Sequence, residues 1–375
     1  MMVAASPRWR ASARPGHATD DQEEPPAGGT DAARDDGEAV RGRDDDETVH
    51  DDEVGWPDGP GRDIVVGLDG SADSERALHW AVREAVLRGT GVRAVLAWAS
   101  AGPTQDGSRP PPSTSPEHPR WTAQWILNEA VDRVRADEPY ARIVARTVFG
   151  PPVRMLLAEA DGAEMLVVGA RGATPADRML TGSVSLACLH GAAVPVVIVH
   201  GGSAGWEGHR PIVVGVDGSA SSRIALAWAV REARLRAARL RVVHVWTPPP
   251  PLGDGAGAAG EEMFHAAARA LLDDAVRVLR GPAGAGVEAE PVLVRGGVSR
   301  ELISEAARAQ MLVLGARGRG GFAGLVLGST SSQCVAHAGC PVAVVRGAAG
   351  GAAPEGPRVL ADRETGRPRT HTPVT

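Results

Sequence analysis

Short runs of consecutive apolar residues recur along the chain and alternate with segments of helical periodicity. The first run is Ile64–Leu68, and a helical pattern with apolar residues along one side follows over Ser74–Arg88. An uninterrupted apolar run predicts a strand that is buried on both faces of a sheet. Because such strands alternate with helices, the pattern predicts a parallel, doubly wound α/β sheet that is covered by helices on both faces.

The same alternation continues through the first half of the chain. Further strands are predicted at Arg93–Trp98, Ile143–Phe149, Met165–Val168 and Val196–Val199. Further helices are predicted around Leu127, over Val153–Ala160 and from Ser183 onward. Five strands with their helices make up about 140 residues, which is an ordinary size for one domain.

The second half of the chain repeats the first. Residues 212–246 match residues 64–98 without a gap, and 22 of the 35 positions are identical. Later landmarks keep a nearly constant spacing, as Gly169 does with Gly315. We therefore expect two tandem domains joined by a short glycine-rich linker. The predicted organisation is a disordered acidic tail over 1–60, domains over 61–202 and 208–347, and a disordered tail over 348–375.

The net charge of −6 is concentrated near the N-terminus, where residues 17–60 carry 16 Asp or Glu against 3 Arg. Such a stretch cannot bury enough apolar surface to order itself. It is either a solvating tail or a docking segment for a basic partner. The rest of the chain is close to neutral and has no basic stripe of the kind that nucleic-acid binding requires.

Composition narrows the chemistry and the location further. The chain has no lysine, which excludes a Walker-type phosphate loop and Schiff-base catalysis. No apolar run approaches the roughly 20 residues that span a bilayer, and no apolar segment follows the N-terminal arginines as a secretory signal requires. Three cysteines without paired spacing fit a reducing compartment. We expect a cytoplasmic protein that binds neither membrane nor nucleic acid.

One glycine pattern occurs in both domains, each time directly after an apolar run. The copies are Gly169-Ala-Arg-Gly172 with Gly182-Ser183, and Gly315-Ala-Arg-Gly318 with Gly328-Ser329, each interrupted by nine residues. Glycines at a strand end, followed by Gly-Ser where a helix begins, allow backbone N–H groups to converge on an anion. Because the pattern is duplicated, it predicts phosphate binding rather than an incidental tight turn.

An aspartate follows the first strand of each domain, Asp69 in one and Asp217 in the other. In doubly wound sheets, ligands bind beyond the carboxyl ends of the strands, where the strand order reverses. If the first and fourth strands are neighbours, the aspartate and the glycine pattern face one crevice. Because a carboxylate repels phosphate, we expect this aspartate to orient a nucleoside or to help hold Mg²⁺.

These motifs, in this order, resemble the universal stress protein family. The resemblance is carried by Val-Gly-Val-Asp-Gly-Ser from Val214, by Val-His-Val-Trp up to Trp246 and by the glycine pattern, and it covers roughly residues 61–347. The duplication and the arginine-only basic set resemble tandem-domain members from actinobacteria. The resemblance implies a Rossmann-like, mainly parallel five-stranded sheet of order 3-2-1-4-5 in each domain. It also implies ATP, with or without Mg²⁺, or AMP or cyclic AMP as ligand.

The resemblance further implies a role for each matching residue. In the second domain, Asp217 contacts the nucleoside, the backbone of Val245 reads the adenine edge, and Gly315 lies under the ribose. The residues expected to hold the phosphates are Gly318, Gly328, Ser329 and Thr330. The first domain offers, at the matching positions, Asp69, Ala97, Gly169, Gly172, Gly182, Ser183 and Val184.

The residues between the glycines differ in the two domains. The second domain has Arg319-Gly-Gly-Phe-Ala-Gly324, whereas the first has Ala173-Thr-Pro-Ala-Asp-Arg178. The first domain thus loses glycines that can adopt positive φ, and Pro175 removes one N–H donor. Asp177 adds a negative charge near an expected triphosphate. The sequence therefore predicts one well-formed nucleotide site, in the second domain, and one compromised copy.

Three functions stay open at this point. The first is a nucleotide-binding, regulatory stress-response protein without a dedicated catalytic residue. The second is a nucleotide-free interaction scaffold, and the third is a weak ATPase of the wider adenine-nucleotide α/β superfamily. His244 aligns with Leu96, so the two domains share no histidine that could act as a base there.

The last strand of each domain commonly mediates pairing in this family. Val196–Val199 and Val342–Val345 are therefore expected to join the domains as an internal pseudo-dimer, with a further homo-oligomer as an extension of the same idea. Four aligned residues are expected to pack in the cores rather than to act in a site: Trp80, Trp228, Cys188 and Cys334.

Overall fold

A computed structural model describes residues 62–99, 115, 118–172, 181–201, 210–248, 257–281, 284–319 and 327–346. We refer to the described residues up to Gly201 as domain 1 and to those from Arg210 as domain 2. Both predicted tails and most of the predicted linker lie outside the described residues. The segments between the glycines also lie outside them, so the predictions about Pro175, Asp177 and residues 320–324 stay predictions.

Domain 1 alternates strands and helices as the apolar pattern predicts. Its elements are β1 (Ile64–Leu68), α1 (Ala72–Arg88), β2 (Val92–Trp98), α2 (Pro119–Asp137), β3 (Ile143–Phe149), α3 (Pro152–Glu159), β4 (Met165–Gly169), α4 (Ser183–Gly191) and β5 (Val196–Val199). Helix α1 begins two residues before the predicted start, because the Ser71 hydroxyl accepts a hydrogen bond from the backbone N–H of Ser74 and caps the helix.

Domain 2 repeats this arrangement. Its elements are β6 (Ile212–Gly215), α5 (Ala220–Leu235), β7 (Leu240–Trp246), α6 (Gly257–Leu279), β8 (Ala289–Arg295), α7 (Val298–Ala306), β9 (Met311–Gly315), α8 (Ser329–His337) and β10 (Val342–Val345). Ser219 caps α5 as Ser71 caps α1, since its hydroxyl accepts from the N–H of Ser222. The two domains thus share the local device that starts the first helix.

The strands of both domains form one sheet in the order β3-β2-β1-β4-β5-β10-β9-β6-β7-β8. Counted within each domain, the order is 3-2-1-4-5, and the strands within each domain are parallel. The domains join through an antiparallel pair, β5 with β10, in which Val197 lies opposite Ala343. The α/β class with a mainly parallel sheet is confirmed. The predicted pairing of the two last strands thus joins the two five-stranded sheets into a single one.

Apolar side chains cover both faces of this sheet. The strands β1 and β4 are buried along their whole length, as expected of continuous apolar runs. Trp80 and Trp228 are buried in the core, and so are Cys188 and Cys334. The prediction that these four residues pack in the core is confirmed. Burial raises the pKa of both cysteine thiols to about 12, so neither is a reactive thiolate at neutral pH.

A buried cluster of four charged residues also joins the domains. Arg88 donates to both carboxylate oxygens of Glu232, at 2.6 and 2.7 Å, and Arg236 donates across the joint to one carboxylate oxygen of Glu84. Each arginine also pairs with the glutamate on its own helix, α1 or α5. These two arginines and two glutamates balance in charge and occupy equivalent positions in the repeat, and Arg88 also contacts Glu164 at 3.4 Å. Removal of a single member would leave an uncompensated buried charge, which typically costs about 3–5 kcal/mol.

Candidate functional site

A cavity of about 440 Å³ opens in domain 2 at the carboxyl ends of β6, β7 and β9. This volume falls within the range of small-molecule sites. Strands β6 and β9 are neighbours, and this is the condition under which the aspartate and the glycine pattern share a crevice. All seven residues predicted for the second domain line the cavity: Asp217, Val245, Gly315, Gly318, Gly328, Ser329 and Thr330.

Asp217 holds the glycine-rich loop in place at the end of β6. Its carboxylate accepts hydrogen bonds from the backbone N–H of Ser219 and from that of Arg319, both at 2.9 Å. The loop passes so close that a Cβ built on Gly318 would lie 2.7 Å from a carboxylate oxygen of Asp217. A side chain at position 318 would therefore push the loop away from the aspartate.

The same contacts determine the charge state of Asp217. Burial is the largest single influence and acts to raise its pKa, since it disfavours the charged carboxylate. Hydrogen bonds from Ser219, Ser222 and Arg319 stabilise the charged form and together outweigh burial. The pKa of Asp217 therefore lies below its ordinary value, and the side chain is an anion that accepts hydrogen bonds at neutral pH.

Gly315 ends β9 and lies directly against the first turn of α5. A Cβ at this position would be 2.5 Å from the Ser221 hydroxyl oxygen and 2.7 Å from the Ser221 backbone carbonyl carbon. The Ser221 hydroxyl in turn accepts a hydrogen bond from the backbone N–H of Arg317 at 3.2 Å, and the Gly315 carbonyl accepts one from Ser331 at 2.9 Å. The absence of a side chain thus permits the close packing that fixes the loop.

Helix α8 begins at the cavity. Its N-cap is Gly328, which has no side chain that could satisfy the free N–H groups of the first turn. Ser329 and Thr330 form that turn and line the cavity. A helix N-terminus of this kind favours an anion, both through its N–H groups and through the helix dipole.

The cavity has a second, mostly apolar end. It is formed by Val243 and Val245 on β7, Val298 and Leu302 on α7, and Leu314 on β9. His244 also lines the cavity, and its Nδ1 donates a hydrogen bond to the Val216 carbonyl at 2.7 Å. The site therefore combines apolar walls at one end with N–H donors at the other, as a nucleotide requires.

Arg317 was not predicted as a site residue, although it lies inside the glycine pattern. The residue lines the cavity and is exposed. Among the described residues, no carboxylate forms an ion pair with it, so its charge is available to an anion in the cavity. The spacing of glycines carries no information on where this side chain points. The apolar residues Val298 and Leu302 were missed for a similar reason, since they lie on a helix outside every motif.

The predicted residues of domain 1 occupy equivalent positions. Asp69 accepts from the N–H of Ser71 at 2.9 Å, and Gly169 ends β4 beside the first turn of α1. The remaining predicted residues are Ala97 near the end of β2, Gly172 in the loop, Gly182 at the N-cap of α4, and Ser183 and Val184 in its first turn. The backbone scaffold is thus the same in both domains.

A buried carboxylate distinguishes domain 1 from domain 2. Asp73, which is only 5% exposed, stands where domain 2 has Ser221. It accepts hydrogen bonds from Arg171, from the backbone N–H at 3.1 Å and from Nε at 3.3 Å, and it also pairs with Arg76. Arg171 is the counterpart of Arg317. The exposed Arg171 side chain thus pairs with a carboxylate of its own domain, whereas Arg317 lines the cavity without such a pair among the described residues.

Comparisons with known proteins agree with this geometry. The sequence model of the Universal stress protein family matches residues 61–200 and 208–346. A universal stress protein of Mycolicibacterium smegmatis is 34% identical over 299 residues, covering 76% of this chain and 96% of that protein. A universal stress protein of Mycobacterium tuberculosis is 32% identical over 295 residues, with the same coverage.

A solved structure is similar in fold over both domains. The crystal structure of a universal stress protein from Archaeoglobus fulgidus aligns with a TM-score of 0.56 at 21% identity, covering 77% of this chain and 97% of that one. In the part of the chain that the structure describes, no group of three or more His, Cys, Asp or Glu is arranged to hold a metal ion. None of the described helices is both long and apolar enough to cross a membrane.

Proposed function

Since the chain belongs to the universal stress protein family as a tandem-domain member, we propose that domain 2 binds an adenine nucleotide, with ATP as the first candidate. The observation that carries this proposal is the cavity at the ends of β6, β7 and β9. It joins an apolar pocket to the N-terminus of α8 within one space of suitable volume. AMP and cyclic AMP present the same base and a smaller phosphate group.

The cavity gives each part of the nucleotide a chemically matched surface. Val243, Val245 and Leu302 provide apolar contacts for a purine, and the backbone of Val245 offers hydrogen bonds to its edge. The Asp217 carboxylate is suited to accept from ribose hydroxyls or from the base. The N–H groups at the start of α8, together with Arg317, are suited to the phosphates. Where Mg²⁺ accompanies ATP, Asp217 is the carboxylate nearest to the glycine-rich loop.

We further propose that nucleotide binding serves regulation rather than a dedicated catalytic reaction. The Nδ1 atom of His244 is bound to the Val216 carbonyl, and domain 1 has Leu96 at that position. Asp217 is held as a carboxylate by several donors, so it is a poor proton acceptor at neutral pH. Asp217 is therefore not an effective general base, and the position of His244 holds no histidine in domain 1, which favours binding over turnover. The same proposal places the protein in the cytoplasm, where adenine nucleotides are abundant.

A specific observation favours a different role for domain 1. Asp73 pairs with both Arg171 and Arg76 at the position where domain 2 offers Arg317. A triphosphate would have to compete with the Asp73 carboxylate for the Arg171 guanidinium. We therefore propose that domain 1 is a nucleotide-free partner domain.

The ligand can be identified directly. Purified full-length protein is denatured and the released nucleotides are identified by chromatography, and ATP, AMP and cyclic AMP are then titrated calorimetrically. We expect ATP to bind and the double variant Gly318→Val/Gly328→Val to abolish that binding. If none of the three nucleotides binds, the proposal is refuted and a nucleotide-free scaffold is favoured. Repeated turnover of ATP within seconds would favour the enzyme instead.

A further inference from the structure

The residue after the last strand of each domain reaches into the other domain. His200 follows β5, and its Nε2 donates a hydrogen bond to the backbone carbonyl of Val335 at 2.6 Å. Arg346 follows β10 and donates to the backbone carbonyl of Leu189. His200 and Arg346 occupy equivalent positions in the repeat, and so do their acceptors. The joint between the domains therefore contains two related cross-domain hydrogen bonds.

Both acceptors lie in the last turn of a short helix. Val335 is in α8 and Leu189 is in α4, and each of these helices has nine residues. The carbonyls of a last turn have no partner within the helix, so a donor from outside stabilises that end. His200 is buried at 9% exposure, so its hydrogen bond is shielded from water. Each domain thus caps the C-terminal end of a helix that belongs to its partner domain.

The opposite end of α8 is the phosphate end of the cavity. A helix of nine residues is about 13 Å long, so a shift or tilt at its C-terminus is transmitted to its N-terminus as a rigid movement. The antiparallel β5–β10 pair brings the carboxyl edge of domain 1 to the amino edge of domain 2, where α8 ends. The topology therefore places His200 at the C-terminal end of α8, away from the cavity that the N-terminal end lines.

His200 also adjoins the charged cluster that distinguishes domain 1. A Cβ built on the next residue, Gly201, would lie 3.2 Å from a carboxylate oxygen of Asp73 and 2.9 Å from a guanidinium nitrogen of Arg76. The chain that carries His200 is consequently packed against groups that are themselves bound to Arg171. The imidazole is bonded to α8 through Nε2, and its buried Nδ1 has no hydrogen-bond partner among the described residues.

From these contacts we propose that His200 of domain 1 is a positioning residue for the nucleotide site of domain 2. The inference rests on the proposed function. By fixing the C-terminal end of α8, His200 keeps Gly328, Ser329 and Thr330 at the place where the phosphates bind. Domain 1 therefore contributes to nucleotide binding without holding a nucleotide itself. This gives the tandem arrangement a purpose that a single domain could not serve.

The test separates the phosphates from the base. His200→Ala removes the donor, whereas His200→Gln retains an N–H donor of similar reach. Affinities for ATP and for adenosine are measured on the full-length protein, the latter by competition. Loss of one hydrogen bond that positions the helix is expected to weaken ATP binding about fivefold. Adenosine affinity should stay unchanged, and His200→Gln should restore most of the ATP affinity.

A matched control accounts for a general loosening of the joint. Val197 is buried in the same interdomain strand pair, opposite Ala343, but packs on the other face of the sheet from Val335. Val197→Ala should destabilise the joint yet keep the ratio of ATP to adenosine affinity. If His200→Ala leaves that ratio unchanged, or if Val197→Ala lowers it equally, the inference is wrong. If the wild-type protein binds no ATP, the proposed function itself fails.

Discussion

The two domains have the same backbone arrangement and differ in the contacts of one equivalent arginine, Arg171 in domain 1 and Arg317 in domain 2. In domain 2, Arg317 lines the cavity, and its backbone N–H is held by the neutral Ser221 hydroxyl. In domain 1, the equivalent Arg171 donates to Asp73 from both its backbone and its side chain. One substitution, serine to aspartate, keeps the hydrogen bond that supports the loop but adds a buried negative charge. The loop is preserved, and the arginine within it already pairs with a carboxylate of its own domain.

This difference indicates that the contacts that hold the fold together are kept in both domains, while the charges beside the glycine-rich loop are not. Both domains need the loop packed against the first helix, because Gly169 and Gly315 both pack within van der Waals distance of that helix. Both domains also contribute equally to the joint, through the neutral cluster of Glu84, Arg88, Glu232 and Arg236. The charge beneath the loop differs between them, so substitutions there should affect the two domains unequally.

The largest effect is expected from a methyl group at the glycine that ends β9. In Gly315→Ala the new Cβ would clash with the Ser221 backbone, so the loop must move relative to α5. The displaced N–H groups would lose two or three hydrogen bonds to the phosphates at about 1 kcal/mol each, so we expect ATP affinity to fall on the order of 100-fold. Isothermal titration calorimetry measures it.

Gly169→Ala is the matched control, because its Cβ would lie 2.6 Å from the Asp73 carbonyl carbon. We expect Gly169→Ala to lower the free energy of unfolding about as much as Gly315→Ala does, while ATP affinity stays unchanged. Equal losses of ATP affinity in the two variants would contradict the assignment of the site to domain 2.

A smaller effect is expected from the two arginines. Arg317→Ala removes a cation that faces the cavity, and a charge-assisted contact to phosphate is worth about tenfold or more in affinity. Arg171→Ala should leave ATP affinity unchanged and instead lower thermal stability, because Asp73 then loses a hydrogen-bonding partner. ATP titration and a thermal unfolding curve of each variant check this pair. A change in ATP affinity with Arg171→Ala would show that domain 1 also contacts the nucleotide.

Exchange of Ser221 and Asp73 tests the charge itself. Ser221→Asp places a carboxylate under the loop of domain 2, and we expect ATP affinity to fall about fivefold at low salt and less at high salt, because salt screens the repulsion. The reverse variant, Asp73→Ser, should release Arg171 and produce a second, weak ATP-binding event. Titrations at two salt concentrations measure both effects. A Ser221→Asp variant that binds ATP as the wild type does would remove the explanation offered for domain 1.

The smallest effect concerns pH and is specific to domain 1. Burial lowers the pKa of His200 below its ordinary value of 6.5, against the influence of Asp73 and of the Val335 and Cys340 backbones, while Arg171 acts in the same direction as burial. Below pH 6.5 His200 is protonated more readily in the unfolded chain than in the folded protein, so the free energy of unfolding should fall as the pH decreases. Arg346, its counterpart in domain 2, stays charged throughout this range.

Denaturant unfolding between pH 7 and pH 5 measures this loss, and the variant His200→Gln, which has no group that titrates there, serves as the reference. The wild type should lose stability relative to His200→Gln as the pH decreases. A parallel decrease in both proteins would mean that other groups cause the pH dependence.

The sequence predicts the fold well because the fold depends on local patterns. The bounds of β3 and β5 agree with the prediction to the residue, since continuous apolar runs mark buried strands clearly. Pairing of the two last strands was also predicted, from the family resemblance and from the need to cover an apolar edge. The register of that pair, with Val197 opposite Ala343, was not predicted, because it depends on side-chain packing between domains that are distant in sequence.

The backbone positions that form the site could be predicted from the sequence, whereas the side-chain contacts could not. The glycines, Asp217 and the start of α8 follow from spacing, because each ends a strand or begins a helix. Arg317 and Asp73 were missed because their roles depend on whether one side chain contacts another across about 100 residues. His200 was out of reach for the same reason, since its acceptor belongs to the other domain. Spacing predicts where a chain turns, but not which charges are neutralised there.

The number of ATP molecules bound per chain tests the central claim most directly. Calorimetric titration of the full-length protein should give one ATP per chain, and the variant Gly172→Val/Gly182→Val, altered only in domain 1, should keep this stoichiometry and affinity. Binding of two ATP molecules per chain with similar affinity, or loss of binding in the domain 1 variant, would contradict the account.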